Sequence, residues 1–284
     1  MKLLKSVRTI CMQNLRKWKT DYRVWVIGVL ALIMIWIYID DMDTIVTFMD
    51  SSMPVWIFPF IYMQFHMKLI YTLPVILLFC NAPFIDANQT FVYMRSGRKR
   101  WLCGQILYVI MASGIYYLFL LITSFLSAIA AGGEISLEWG KTLTTIANSG
   151  VAGYLGVHYI DASTIITTYF SPISAIWFTF LLSWLCGTMI GLIIFFCNTF
   201  TGTRFLGITI SSLLAVLSAA EESGLPQVLH FSPISWITLN KVDVGGLTTN
   251  PSFEYCIVFY LTAIILLAAG ILLFGKKQSM DMKG

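Results

Sequence analysis

The sequence predicts an all-α integral membrane protein with six transmembrane helices, and three observations lead to this fold class. Long uncharged runs recur along the chain, which is 58% hydrophobic and only 11% charged, against about 25% charged residues in a typical soluble domain. The basic residues gather in short segments between alternate runs. No internal repeat and no linker to a second domain interrupts this pattern, so residues 1–284 are predicted to form one membrane domain.

Six uncharged runs are predicted to be the membrane spans. They cover approximately residues 24–39, 67–83, 103–130, 173–196, 205–220 and 255–275. The first run lies between Arg23 and Asp40 and rises only about 24 Å as a helix, so its flanking groups must reach the interfaces. Pro74 lies inside the second run and predicts a kink. Residues 54–65 are aromatic and interrupted by proline, which favours an interfacial or re-entrant segment.

The distribution of basic residues predicts the orientation in the membrane. If the N-terminus is cytoplasmic, segments 1–23, 84–102, 199–204 and 276–284 lie inside and contain 15 of the 18 Lys and Arg residues. Eleven of the 14 acidic residues then lie outside. Because cytoplasmic loops carry an excess of Lys and Arg, both termini are predicted to be cytoplasmic. Basic residues that flank apolar runs in this way argue against nucleic acid as a partner.

Residues 1–23 predict a basic amphipathic helix that lies in the membrane interface. At 100° per residue the apolar side chains cluster on one arc, where Asn14 is the one polar residue. The opposite side carries the cations. Such a helix puts its apolar face into the bilayer and its cations at the lipid headgroups. An ordinary positively charged flank or the n-region of a signal peptide is the alternative. The residues that define the predicted interfacial helix are Lys5, Arg8, Arg16 and Trp18.

No motif for catalysis or nucleotide binding occurs in the sequence. The GxxxxGK[ST] phosphate loop, the Rossmann glycine fingerprint, HExxH and GxSxG are absent. The chain is therefore predicted not to be an enzyme and to hold no cofactor of its own. The three histidines are far apart and no CxxC pair occurs, so no metal site is predicted. Lys68 is the one cation whose position could lie inside the membrane. The favoured interpretation is that it lies at the end of its span and extends its ammonium group to the interface.

The segment between the second and third runs predicts a short helix on the cytoplasmic side. Pro83 ends the preceding span, and Asp86 is a suitable N-cap with Gln89 three residues later, as in a capping box. Gly97 fits a helix stop, and basic residues fill the last turn. A positively charged turn is the alternative, but it explains only the cations. The side chains available to a partner are Phe91, Tyr93, Met94 and Arg95.

This arrangement resembles the permease subunit of a bacterial type-2 ABC exporter over nearly the whole chain. The resemblance rests on the amphipathic N-terminal helix, the six spans, a short helix ending in Arg95-Ser96-Gly97-Arg98-Lys99-Arg100-Trp101, and a Pro- and Gly-rich loop before the sixth span. It implies a plasma-membrane protein whose short helix docks on a separate ATPase, which binds the ATP and Mg. The implied ATPase-coupling residues are Asp86, Gln89, Phe91, Tyr93, Met94 and Arg95.

The resemblance also implies a second permease subunit, identical or different, and a translocation path between the two. The N-terminal helix would lie beside the ATPase. A path lined by aromatic and small polar side chains suits an amphipathic or apolar cargo, either a peptide or a lipid-like molecule. Residues 131–172 form a longer loop than in the smaller family members. The residues implied to line the path are Tyr116, Tyr117, Trp184 and Thr188.

Two alternatives for the function and one for the packing stay open at this point. The chain could expel a bacteriocin or lantibiotic from its own membrane as an immunity permease. It could also be a membrane scaffold or sensor subunit that transports nothing. The GxxxG match at residues 187–191 permits close helix approach, either within the chain or between two copies.

Overall fold

The computed structural model describes residues 2–85, 87–222, 226–246 and 248–274, and this part of the chain is all-helical with no strand. The predicted cytoplasmic tail, 276–284, lies outside these residues. The α-helices in the described ranges are α1 (Lys2–Arg16), α2 (Tyr22–Met49), α3 (Phe65–Phe79), α4 (Ala87–Ser96), α5 (Arg98–Ala130), α6 (Gly140–Asn148), α7 (Val151–Tyr154), α8 (Thr164–Tyr169), α9 (Pro172–Thr201), α10 (Phe205–Glu222) and α11 (Phe253–Phe274).

Four of the described helices, α2, α5, α9 and α11, are long and apolar enough to cross a membrane. They indicate a multi-pass membrane protein and coincide with the predicted spans one, three, four and six. The other two apolar helices, α3 and the Phe205–Ala219 part of α10, are shorter. Fifteen residues rise about 22 Å, less than the roughly 30 Å hydrocarbon core. The second and fifth spans therefore stay predictions.

The long helices extend beyond the predicted spans. The first predicted span ends at Ile39, but α2 continues to Met49 and includes three aspartates. No glycine or proline interrupts residues 40–49, and Asp50 ends the helix with a left-handed backbone, φ 46°. The third predicted span begins at Cys103, whereas α5 begins at Arg98. Hydropathy predicts which residues lie in the hydrocarbon core of the membrane. The helical hydrogen bonds continue beyond those residues, so each helix is longer than its predicted span.

Helix α9 lies at the centre of the bundle, in contact with α3, α5, α10 and α11. Two of its glycines allow close approach to α5 and α3. A Cβ on Gly187 would lie 2.6 Å from the Tyr117 ring, and one on Gly191 would lie 2.6 Å from Val109 and 2.7 Å from Phe79. The GxxxG face is therefore used within the chain, which decides between the two alternatives for its packing.

Irregular segments close the bundle at the end opposite α4. Residues 54–65, predicted to be interfacial or re-entrant, are mostly non-helical and largely buried. Phe60 from this segment packs edge-on against Trp139, with ring centroids 5.2 Å apart. The loop before α11 folds back in short 3-10 turns, and Trp236 is completely buried there. Its indole Nε1 donates to the Leu229 carbonyl at 2.7 Å.

Candidate docking surface

The turn that leads into α4 is fixed by the α9–α10 end of the bundle. Asn198, near the end of α9, donates from Nδ2 to the Ala82 carbonyl at 2.7 Å and to the Cys80 carbonyl at 3.4 Å. The Arg204 guanidinium donates to Asn81 Oδ1 at 3.2 Å. The two Asn198 bonds satisfy backbone carbonyls at the end of α3 and in the turn that follows it. Residues 80–82 are therefore tied to the segment where α9 ends and α10 begins.

One side of α4 packs against the start of α5. The predicted short helix is present, and Gly97 separates it from α5 as expected, with φ 80° in the region that favours glycine. Tyr93 meets Trp101 edge-on at 5.9 Å between ring centroids. The Ser96 hydroxyl donates to the Val92 carbonyl at 2.6 Å. Tyr93 is therefore partly engaged within the chain.

The other side of α4 is uncovered. Phe91 is 70% exposed and Met94 is 68% exposed, and Arg95 is also exposed. These residues have the spacing i, i+3 and i+4, so they lie on one face of the helix. We call Phe91, Met94 and Arg95 the α4 face. Asp86 and the side chain of Gln89 lie outside the described residues. A bulky apolar pair beside a guanidinium is a composition typical of protein interfaces.

Helix α1 packs against α5, although the sequence assigned its apolar face to lipid. Ile10 is buried, and a Cβ on Gly104 would lie 2.6 Å from its side chain. Asn14 donates from Nδ2 to Gln105 Oε1 at 3.1 Å, and both side chains are buried. The expectation that bilayer covers this face is wrong, because α5 covers it. Asn14 on the apolar arc of α1 and Gln105 in the third predicted span were the available signals for this pairing.

The basic side of α1 stays open, while its aromatic residue does not. Lys5, Arg8 and Arg16 are exposed. Trp18 is half-buried, and its indole Nε1 donates to the Tyr108 hydroxyl at 2.8 Å. Trp18 therefore anchors the end of the α1 region to α5, and the three cations remain available to headgroups or to a partner.

Of the four residues predicted to line a path, Tyr117, Trp184 and Thr188 lie where α5 meets α9, and Tyr116 contacts α3. The Thr188 and Ser113 hydroxyls are 2.8 Å apart, and Trp184 donates from Nε1 to the Ile110 carbonyl at 2.8 Å. Tyr116 donates to the Tyr71 carbonyl at 2.8 Å. Tyr117 packs on Gly187 as described above and is fully buried. Within one copy of the chain these side chains join helices, and their role in a path stays a prediction.

The sequence also led to expectations for Lys68 and the histidines, which lie away from α4. Lys68 is fully buried in the first turn of α3, so the snorkelling interpretation is wrong.

His66 and His158 line one cavity of about 460 Å³ together with Asp161. Burial raises the pKa of Asp161, against the lowering effects of a backbone hydrogen bond from Ala162 and the charge of Lys241. Among the described residues no cluster of three metal-ligating side chains occurs.

The all-helical fold and its four long apolar helices indicate that this molecule belongs to the class of helical, multi-pass membrane proteins. Comparison of the chain with protein-family models, with curated proteins and with solved structures finds no match. Inference about its function therefore rests on the features of the chain itself.

Proposed function

We propose that the chain is the permease subunit of an ATP-driven ABC transporter that exports an amphipathic or apolar substrate, either a peptide or a lipid-like molecule. In this proposal it crosses a bacterial plasma membrane six times, with both termini in the cytoplasm. A separate ATPase subunit binds and hydrolyses ATP with Mg, and a second permease subunit completes the transporter. The chain itself catalyses no reaction.

The α4 face is the observation that carries the proposal. A helix of ten residues that connects two membrane helices has no need of bulky apolar side chains directed away from the bundle. Exposed aromatic and Met side chains beside an arginine are enriched in the centres of protein interfaces. The Tyr93–Trp101 contact and the one-residue junction at Gly97 hold α4 against α5, so a partner would meet a preorganised surface.

The proposed mechanism transmits force through α4. ATP binding closes the partner ATPases, and the docked α4 moves with them. Because α4 leads directly into α5, and α5 packs on the central α9, this motion reaches the bundle core. The permease halves then alternate between inward and outward access, as in other rigid-body transitions.

A purification experiment tests the proposal. The full chain is isolated from its host in mild detergent, and the copurifying proteins are identified with their stoichiometry. We expect an ATPase with a phosphate-binding loop. In Phe91→Glu, the ATPase should be bound about 30-fold less tightly, the effect expected for loss of an interface hot spot of about 2 kcal/mol.

The matched control is Leu137→Glu. Leu137 is 74% exposed and lies beyond α5, at the opposite end of the bundle from α4. This variant introduces the same charge at a similarly exposed apolar residue, and we expect it to recover the ATPase normally. Recovery of no ATPase with the unchanged chain would contradict the proposal. Equal recovery by Phe91→Glu and the unchanged chain would do the same and would favour a scaffold or sensor role.

A further inference from the structure

A cavity of about 520 Å³ lies between α1, α4 and the first turn of α5. Three cations from these three elements line it: Lys5 from α1, Arg95 from α4 and Arg100 from α5. Ile10 and Val92 give it an apolar part. The cavity therefore combines positive charge with a surface that an aliphatic group can contact.

No described side chain compensates the positive charge in this cavity. No acidic side chain is among the described residues that line it. Lys5, Arg95 and Arg100 are all exposed, so an incoming anion can reach them. Converging like charges repel one another, and an anion placed between them relieves that repulsion. Two guanidinium groups also match the oxygen geometry of a phosphate, to which arginine donates in pairs.

The position of α5 relative to the membrane indicates the depth of the cavity. Its first three residues, Arg98 to Arg100, are all basic, and residues 101–130 contain no charged side chain. This change from charged to apolar marks the level where a membrane helix passes through the lipid headgroups. Arg100 stands at that boundary and lines the cavity. The cavity therefore lies at the height of the lipid phosphates.

We propose that this cavity binds the phosphate group of an anionic phospholipid from the surrounding membrane. Lys5, Arg95 and Arg100 would contact the phosphate oxygens, and Ile10 and Val92 would contact the glycerol and the first methylenes. Basic pockets beside membrane helices recognise anionic headgroups in this way. Arg95 belongs to both this cavity and the α4 face, whereas Lys5 and Arg100 line the cavity alone. Bound lipid would link α1 to α4, which lie on either side of it.

Two variants of equal charge test the site. Lys5→Gln/Arg100→Gln removes one cation from α1 and one from the start of α5, and leaves Arg95 in the α4 face intact. Arg8→Gln/Lys99→Gln removes one cation from each of the same two elements outside the cavity. All four residues are exposed, so both variants should fold. The two proteins differ only in where the charge is lost.

The measurement is binding of short-chain phosphatidylglycerol to the purified full chain in detergent, at about 0.15 M salt to screen distant charges. Phosphatidylcholine and inorganic phosphate serve as comparison ligands. Each basic residue near an anionic lipid contributes about fivefold in affinity, so the cavity variant should bind about 30-fold less tightly. The control variant should stay within a few-fold of the unchanged chain.

Three results would overturn the proposal. Equal losses in the two variants would mean that the lipid senses general positive charge. No loss in the cavity variant would place the lipid elsewhere or, if copurification of a partner protein fell instead, would assign the cavity to an acidic segment of that partner. Inorganic phosphate that binds as tightly as the lipid and displaces it would leave the phosphate chemistry in place but reject a membrane source. Phe91 does not line the cavity, and neither Lys5 nor Arg100 belongs to the α4 face, so the two proposals can fail separately.

Discussion

At the scale of single residues, glycine positions decide how close the central helices come. Gly187 and Gly191 on α9 face Tyr117, Val109 and Phe79, each at a distance that leaves no space for a Cβ. In a membrane, helices associate largely through packing, and small residues allow the backbones to approach. The hydrogen bond between Ser113 and Thr188 lies beside this contact.

Gly187→Ala should therefore destabilise the chain. The added methyl would overlap the Tyr117 ring, and overpacking of this kind costs about 1–3 kcal/mol. Thermal unfolding in detergent measures the effect. Gly28→Ala is the control, because a Cβ on Gly28 of α2 meets no atom within 4 Å. An unchanged melting temperature together with loss of a dimer would show instead that the glycine face joins two chains.

At the scale of elements, the contact between α1 and α5 fixes the N-terminal helix to the bundle. The buried Asn14–Gln105 hydrogen bond specifies the register of the two helices, because each amide satisfies part of the other in a place without water. Ile10 against Gly104 supplies the close packing around it. This contact places Lys5 of α1 in the lipid-binding cavity proposed above.

A double-mutant cycle tests this pairing. Asn14→Leu and Gln105→Leu should each lower the free energy of unfolding by about 1–3 kcal/mol, because each leaves the other amide buried without this partner. The double variant should cost less than the sum of the two, with a coupling of about 0.5–3 kcal/mol. Thermal or denaturant unfolding of the purified chain provides the values. Strictly additive losses would mean that the hydrogen bond contributes nothing to stability.

At the scale of the whole molecule, charge and fold agree on which ends of the helices belong together. The segment around α4 and the turn between α9 and α10 meet through Arg204 and Asn81. The sequence assigns both segments to the cytoplasmic side by their basic residues. Segments that contact each other outside the apolar helices must lie on the same side of a membrane, so this contact agrees with placing the two together. Which side they share stays a prediction.

Labelling of introduced cysteines tests that orientation. Met94→Cys and Leu137→Cys replace side chains that are 68% and 74% exposed at opposite ends of α5. Cys80 and Cys103, which are only partly buried, are replaced by Ser in both proteins. An impermeant maleimide added to intact cells should label Leu137→Cys and should label Met94→Cys only after permeabilisation. The reverse pattern would place the α4 face outside the cell and reject its proposed ATPase contact.

The sequence predicts the positions of the apolar helices well, because residues that lie in the hydrocarbon core must be uncharged over the whole length of a span. It does not predict where the helices end, as α2 and α5 show, because helical hydrogen bonds continue into water. The sequence also shows which side of a helix is apolar, but it does not show which other helix packs against that side. The apolar side of α1 is visible in the periodicity, but only Asn14 and Gln105 together indicate that α5 covers it.

The sequence predicted helix α4 correctly, but it predicted the exposure of only some of the side chains on that helix. The local signals for α4 were its capping residues and Gly97. The helix and the break at Gly97 are confirmed, and the Asp86–Gln89 capping box stays a prediction. Tyr93 was grouped with Phe91 and Met94, but its ring lies against Trp101. The residue types at Tyr116 and Thr188 suit a packed helix interface and a polar path equally, so the sequence had no means to separate the two roles.

The junction between α4 and α5 consists of one residue, and this has a mechanical consequence. A longer loop would absorb a displacement of α4 through many backbone torsions, whereas here only the torsions of Gly97 are available. The Tyr93–Trp101 contact across the junction restricts even that bending. A displacement of α4 is therefore transmitted almost rigidly to the start of α5. Because α5 has 33 residues and is about 50 Å long, a small rotation at its start moves its far end by a larger distance.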